Sequence, residues 1–188
     1  MKTKHDSVHG DSVEILSTTP LPCPVDSAAQ LVWEELTTNR AFARCLRGGQ
    51  PNSYVKNWVK ILEGAAESKQ VKGIQFLRKY EEPNRVVIVK SGVITLPNDG
   101  LRFRDECWMT ITRSKTSPNK SVVQGCRQIF LDPRGTHSGS ERERFKGNTA
   151  ALKCLGFKLR EESQLLQNRL IDEADNLVLS ANKLRCTS

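Results

Sequence analysis

Four successive segments between Gly73 and Asp132 have the residue pattern of β-strands joined by short turns. Leu101–Arg113 alternates most regularly, with apolar residues at every second position and mainly charged or hydroxyl residues between them. This period of two is typical of a strand that is buried on one face. The other three segments are Gly73–Glu82, Arg85–Leu96 and Val122–Asp132. Because strands with short connections pair with their sequence neighbours, we predict an antiparallel meander.

Helical patterns lie on either side of the meander. The leucines after the polar stretch 134–140 recur at intervals of three, four and seven, which predicts helix to the end of the chain. Asp26–Thr37 is predicted to be a short helix capped by Asp26 or Ser27, since a side-chain oxygen there can accept a free backbone N–H. Three prolines precede it and favour an extended connection from a strand at Ser12–Thr19. The stretch 53–66 fits a helix and a strand equally, so its type stays open.

Composition limits the classes of protein to consider. The 188 residues fit one domain, with residues 1–10 predicted to be a flexible tail. The net charge of +8 comes from scattered basic residues rather than a block, so nucleic-acid binding is disfavoured. The six cysteines are widely spread and form no close pair, which indicates free thiols and no structural metal. We see no membrane span and no signal peptide, so we expect a cytoplasmic protein.

The sequence contains no catalytic motif that we recognise. No nucleophile elbow, phosphate-binding loop or zinc-protease motif is present, and the adjacent Glu pairs cannot face one substrate. We therefore predict that the protein is not an enzyme and needs no cofactor. Arg78 and Asp105 are unusual because each lies on an otherwise apolar strand face. They form an internal ion pair, line a wet cavity, or reach solvent at an edge or bulge. Lys90 and Arg127 are candidates to join them, but the faces of their strands are not assigned.

The order of elements resembles the START-like (steroidogenic-acute-regulatory-related lipid-transfer) helix-grip superfamily. The resemblance is carried by TTPLPCPVDSAAQLVWEELTT, LRKYEEPNRVVIVKSG, LRFRDECWMTITRS and VVQGCRQIFLDP, and the last three are similar to START-like domains of oomycete proteins. It implies an α+β fold in which a curved antiparallel sheet wraps around a long C-terminal helix and encloses an apolar cavity. Residues 11–175 would form this domain, and residues 176–188 would extend its last helix.

The resemblance implies a binding function. The leading hypothesis is a non-enzymatic module that holds a lipid or other small apolar ligand between sheet and helix. The ligand-binding residues would be Trp33, Phe76, Arg78, Tyr80, Phe103, Asp105, Cys107 and Met109. The alternative is a regulatory domain with an occluded cavity that contacts a protein partner through the C-terminal helix.

Overall fold

The part of the chain that the structure describes forms one antiparallel sheet with two helices. The computed structural model describes residues 2–6, 10–38, 44–46, 52–63, 68–96, 100–132 and 141–186. The strands and helices are β1 (Lys2–Asp6), β2 (Gly10–Leu21), α1 (Val25–Thr37), β3 (Arg44–Leu46), β4 (Ser53–Glu63), β5 (Ser68–Glu82), β6 (Arg85–Leu96), β7 (Leu101–Arg113), β8 (Ser121–Leu131) and α2 (Glu141–Cys186). The eight strands lie in the order β1-β2-β8-β7-β6-β5-β4-β3. The sheet curves around α2, so the predicted α+β helix-grip architecture is confirmed.

The meander appears where the alternating pattern is clearest. β6 and β7 have the predicted bounds, and all neighbouring strands from β4 to β8 pair antiparallel. The predicted short helix is α1, but neither Asp26 nor Ser27 caps it. Pro24 occupies the N-cap position without a side-chain hydrogen bond, and its carbonyl accepts from the Ala28 N–H.

Two predictions for the first third of the chain concern a flexible tail and a short helical turn. Residues 1–10 are predicted to be a flexible tail, but Lys2–Asp6 forms β1 and pairs with Gly10–Glu14 of β2, which satisfies its backbone groups. A helical turn is also predicted within residues 39–54. Most of that stretch lies outside the described residues, and its described part contains β3 and the start of β4.

The ambiguous stretch 53–66 is a strand along its first eleven residues. β4 pairs with β5 over its whole length, and its Trp58 is buried on the inner face. The indole lies over Gly73, the cross-strand partner, where a Cβ would come within 2.2 Å of the ring. Because alternate residues share a face, Lys56 and Lys60 also face inward, while Val59 and Ile61 are exposed.

Two apolar clusters fill the space between the sheet and the helices. The first contains Val13, Ile15, Trp58, Val71, Ile94, Leu96, Leu101, Phe103, Ile129, Leu152, Leu155 and Leu159. The second contains Leu21, Cys23, Ala28, Ala29, Val32, Val86, Ile88, Ile111, Val123, Leu170 and Ala174. The α2 residues between the two clusters include Glu162 and Ser163, both partly buried. The helix is therefore polar where it passes over the middle of the sheet.

Candidate functional site

A cavity of about 320 Å³ lies between the sheet and the part of α2 that carries Glu162 and Ser163. Its apolar wall consists of Leu36, Trp58, Leu77, Cys107, Met109, Leu165 and Leu166. Its ionisable wall consists of Lys56, Lys60, Lys90, Arg127, Arg169, Glu35 and Glu162. Five of these seven are basic. Low-dielectric walls focus the positive field of these side chains, so the cavity favours an anionic ligand.

A buried carboxylate holds two of the cations in place. Asp105 is fully buried on the inner face of β7. It accepts hydrogen bonds from Arg127 Nε and Nη2, both at 2.7 Å, and its Oδ2 lies 3.0 Å from Lys90 Nζ. Gln75 Nε2 donates a further hydrogen bond to Oδ2 at 3.3 Å. This set satisfies both carboxylate oxygens, which a buried charge requires.

The environment of this cluster fixes the protonation of Asp105 and Cys107. Burial alone would raise the pKa of the Asp105 carboxyl, but the charges and hydrogen bonds of Lys90 and Arg127 outweigh it and hold that pKa well below its usual range. Burial raises the pKa of the Cys107 thiol, although the same two cations oppose the shift. Cys107 is thus a neutral thiol in the cavity wall and not an activated nucleophile.

Glu162 connects the helix to the charged floor of the cavity. It accepts a hydrogen bond from Lys60 on β4, and its Oε2 lies 3.9 Å from Arg127 Nη1 on β8. At the other rim, Arg169 of α2 donates to Glu35 of α1 at 2.7 Å. Three ion pairs therefore join α2 to β4, β8 and α1 around the cavity.

Four of the eight predicted ligand-binding residues lie on the inner face of the sheet. Cys107 and Met109 line the cavity, and Asp105 lies directly behind Lys90 and Arg127. Phe103 is on the same face but sits inside the first apolar cluster, fully buried. Its position is that of a core residue.

The three predicted residues on β5 lie on the opposite face, so their assignment to the cavity is corrected. Phe76 and Tyr80 are exposed by 45% and 44%, and Arg78 stacks over the Tyr80 ring instead of pairing with Asp105. The inner face of β5 instead carries Gln75 and Leu77. The two aromatic side chains of this strand, Phe76 and Tyr80, therefore point away from the cavity.

Trp33 lies outside the cavity wall. It is partly buried on α1, packs against the second apolar cluster, and has Lys79 Nζ 5.9 Å from its ring centroid. It therefore helps to attach α1 to the sheet, as a large aromatic at an element boundary commonly does.

Sequence reasoning missed most of the charged residues of the site. Lys90 and Arg127 were candidates to join Asp105, but the faces of their strands were not assigned, and the structure places both inward. Lys56 and Lys60 were missed because they belong to the ambiguous stretch. Asp105 was the residue from which the other charged residues could have been inferred. A carboxylate fixed on the buried face of β7 requires cations from the strands beside it, which are β6 and β8.

Three further observations concern other kinds of site. A depression of about 490 Å³ on the outer face, along β4, β5 and β6, has Lys72 as the ionisable residue in its wall and lacks the converging charges of the inner cavity. Within the described ranges, no three His, Cys, Asp or Glu side chains gather as metal ligands. Neither described helix contains an apolar stretch of the length needed to cross a bilayer.

Comparison with solved structures identifies the fold. The Zhui aromatase/cyclase from Streptomyces sp. R1128 superimposes with a TM-score of 0.56 and 13% identity, over 89% of this chain and 96% of that chain. The likeness shows that the chain has a helix-grip fold. Two further structures are more distant. TTHA0849 from Thermus thermophilus has a TM-score of 0.47 and 10% identity, over 85% of this chain and 98% of that chain. The di-domain ARO/CYC BexL has a TM-score of 0.46 and 13% identity, over 87% of this chain and 50% of that chain. No protein-family model and no curated protein matches the sequence.

The helix-grip fold overturns the prediction that the chain is not an enzyme. That prediction rested on the absence of a visible acid/base pair, yet the similar structure is that of an aromatase/cyclase. In this chain the titratable groups of the cavity come from β4, β6, β8, α1 and α2, so no short motif could have displayed them. At 13% identity the likeness establishes the helix-grip fold and no particular reaction.

Proposed function

We propose that the cavity binds a small molecule with an apolar body and an acidic group. The observation that carries this proposal is the set of five basic side chains around an apolar wall. A cavity of about 320 Å³ is at the lower end of the range of roughly 300–1,000 Å³ for ligand sites. This size favours a compact or single-chain ligand over a two-chain lipid. The cytoplasmic location expected from the sequence remains a prediction.

The acidic group of the ligand would meet Lys60 and Arg127. Lys60 and Arg127 share Glu162, so each has donors left for a second acceptor. The apolar body would lie against Trp58, Leu77, Met109, Leu165 and Leu166. Burial of such a body supplies affinity, while the few polar groups orient it.

Binding can be measured with two dyes that share an aromatic body. We expect 1-anilinonaphthalene-8-sulfonate to bind roughly tenfold more tightly than neutral N-phenyl-1-naphthylamine, since a charge-assisted hydrogen bond contributes about 1.5–3 kcal/mol. Fluorescence titration at constant ionic strength gives both affinities, and native mass spectrometry of protein from cells tests for a retained ligand. Equal affinities for the two dyes would contradict the acidic-group requirement.

A pair of tryptophan variants on α2 locates the bound dye. Leu165→Trp places bulk at a cavity-lining position that is 56% exposed, so the fold can accommodate it. Leu177→Trp is the matched control, 45% exposed and further along the same helix. Loss of dye binding in the first variant alone supports the cavity, whereas equal retention in both places the dye elsewhere and removes the proposal.

A second candidate function is contact with a protein partner through the end of α2. The observation in its favour is that Leu177 and Leu179 are exposed by 45% and 58%, beyond Ala174, the last residue of α2 in the apolar clusters. Both leucines belong to the segment 176–188, for which the sequence predicts an extension of the last helix. Removing Asp175–Ser188 is expected to abolish assembly measured by light scattering. An unchanged oligomeric state together with unchanged partner capture would exclude this role.

A further inference from the structure

Lys56 differs from the other two lysines of the cavity. Lys60 is engaged by Glu162, and Lys90 is engaged by Asp105 at 3.0 Å. Lys56 has no hydrogen bond or ion pair within the described part of the chain, although it is partly buried and lines the cavity. A partly buried amine without a carboxylate partner is uncommon, because lysine side chains usually extend to water or meet an acid.

The surroundings of Lys56 favour its neutral form. Burial lowers the pKa of the Lys56 amine, and the charges of Lys60 and Lys90 lower it further, while Glu162 partly opposes them. The other charged residues around the cavity are Arg127, Arg169, Glu35 and the buried Asp105. A lysine placed beside other cations in a partly apolar pocket is a known route to a nucleophilic amine.

The cavity also supplies two things that an amine nucleophile needs, which are a proton acceptor and groups that hold the ligand in place. Gln75, directly across from Lys56 in the β4–β5 register, is held by its hydrogen bond to Asp105. Glu162 provides a carboxylate in the same cavity, so a proton acceptor is available. The basic residues can hold an acidic group of the ligand while its other end reaches Lys56.

We propose that the Lys56 amine condenses with a carbonyl group of the bound ligand to form an imine, which extends the ligand-binding function proposed above and rests on it. The Nζ lone pair attacks the carbonyl carbon, and a proton passes from nitrogen to oxygen to give a carbinolamine. The hydroxyl then leaves as water with a second proton from the nitrogen, and the C=N bond forms. The net change is amine plus carbonyl to imine plus water, with no oxidant or reductant.

The ligand class follows from this assignment. It is a small aldehyde or ketone that carries a carboxylate or similar acid on an apolar body. A ligand without the acid would lack contacts to the basic residues, and one without the carbonyl would bind but not react. The two requirements can therefore be tested separately.

The test uses the full chain with 4-carboxybenzaldehyde and sodium cyanoborohydride, which reduces an imine to a stable amine. Peptide mapping by mass spectrometry then locates the label. We expect the label to concentrate on Lys56, to appear there at lower pH than on the exposed Lys72, and to decrease when 4-methylbenzoate is added. Lys56→Met and Lys56→Arg should lose this label, while Lys72→Met should retain it.

Mapping the labelled lysines in the unsubstituted protein tests the imine proposal even if a Lys56 variant fails to fold. If equilibrium dialysis shows that 4-methylbenzoate binds but label is spread evenly over exposed lysines, the imine proposal is wrong and the binding function stands. If 4-methylbenzoate does not bind and Lys56 is not labelled, both proposals are wrong. Labelling of Lys56 that 4-methylbenzoate does not reduce also contradicts reaction with a cavity-bound ligand.

Discussion

Replacing Asp105 with alanine is expected to lower the free energy of unfolding by about 3–5 kcal/mol, because the change leaves buried cations without their partner. Lys90 and Arg127 are only 9% and 8% exposed, so neither can turn to water without moving the strand that carries it. Asp105→Asn should cost a comparable amount, since an amide keeps the shape but not the charge. Urea denaturation monitored by tryptophan fluorescence measures the change.

An exposed carboxylate provides the control for this prediction. Glu82 pairs with Arg85 at 2.7 Å at the β5–β6 turn, where both side chains are largely exposed. Glu82→Gln is expected to change stability by no more than about 1 kcal/mol, because surface ion pairs contribute little. Similar small losses at Asp105 and Glu82 would show that the buried cluster does not stabilise the fold.

A triple variant separates the cluster's structural role from its binding role. Replacing Asp105 with leucine and both Lys90 and Arg127 with methionine removes all three charges together. Buried ion pairs often can be exchanged for apolar groups without loss of stability. We expect this variant to recover most of the stability lost in Asp105→Ala and still to bind the anionic dye poorly. Full dye binding would exclude these cations from ligand recognition.

Replacing Phe103 with alanine is expected to cost about 3–5 kcal/mol, because a large fully buried side chain leaves a cavity when it is removed. Phe103 is fully buried, and its cross-strand neighbours are Ile94 and Leu131. Thermal or urea denaturation measures the loss. The residue was predicted to contact a ligand, and the structure gives it a different role.

Phe76→Ala is the matched control for Phe103→Ala. Phe76 is 45% exposed on the outer face, so its truncation should change stability by about 0.5 kcal/mol or less. It should also leave dye binding in the inner cavity unchanged. A large effect of Phe76→Ala on dye affinity would mean that the ligand binds to the outer face of the sheet.

The sequence predicts those parts of the fold in which hydrophobic burial determines the pattern. β6 and β7 have the predicted bounds because their apolar residues face a core on one side. The inward position of Asp105 follows from the same period. The C-terminal helix is predicted because its leucines recur at helical spacing along α2.

The remaining part of the site could not be predicted because charged and polar side chains share the inner face of the sheet with apolar ones beside the cavity. On β5 the inner face carries Gln75 and Lys79, whereas Phe76 and Tyr80 point outward. A prediction that turns the aromatic side chains of β5 inward therefore assigns the wrong face of this strand to the cavity. The partners of Asp105, Lys90 and Arg127, lie on two different strands. The sequence offered them only as candidates, because the inward faces of β6 and β8 are known only once these strands are in register with β7.

The orientation of β4 has a consequence for folding. Because Val59 and Ile61 face solvent while Lys56 and Lys60 face the helix, a slip of one residue against β5 would bury the two apolar side chains and release both amines to water. Hydrophobic burial of these two residues thus favours a mispaired strand. The same slip would move Trp58 off Gly73 and separate Lys60 from Glu162. The strand beside the cavity is therefore locally frustrated, and the indole–glycine contact selects its native alignment over the competing one.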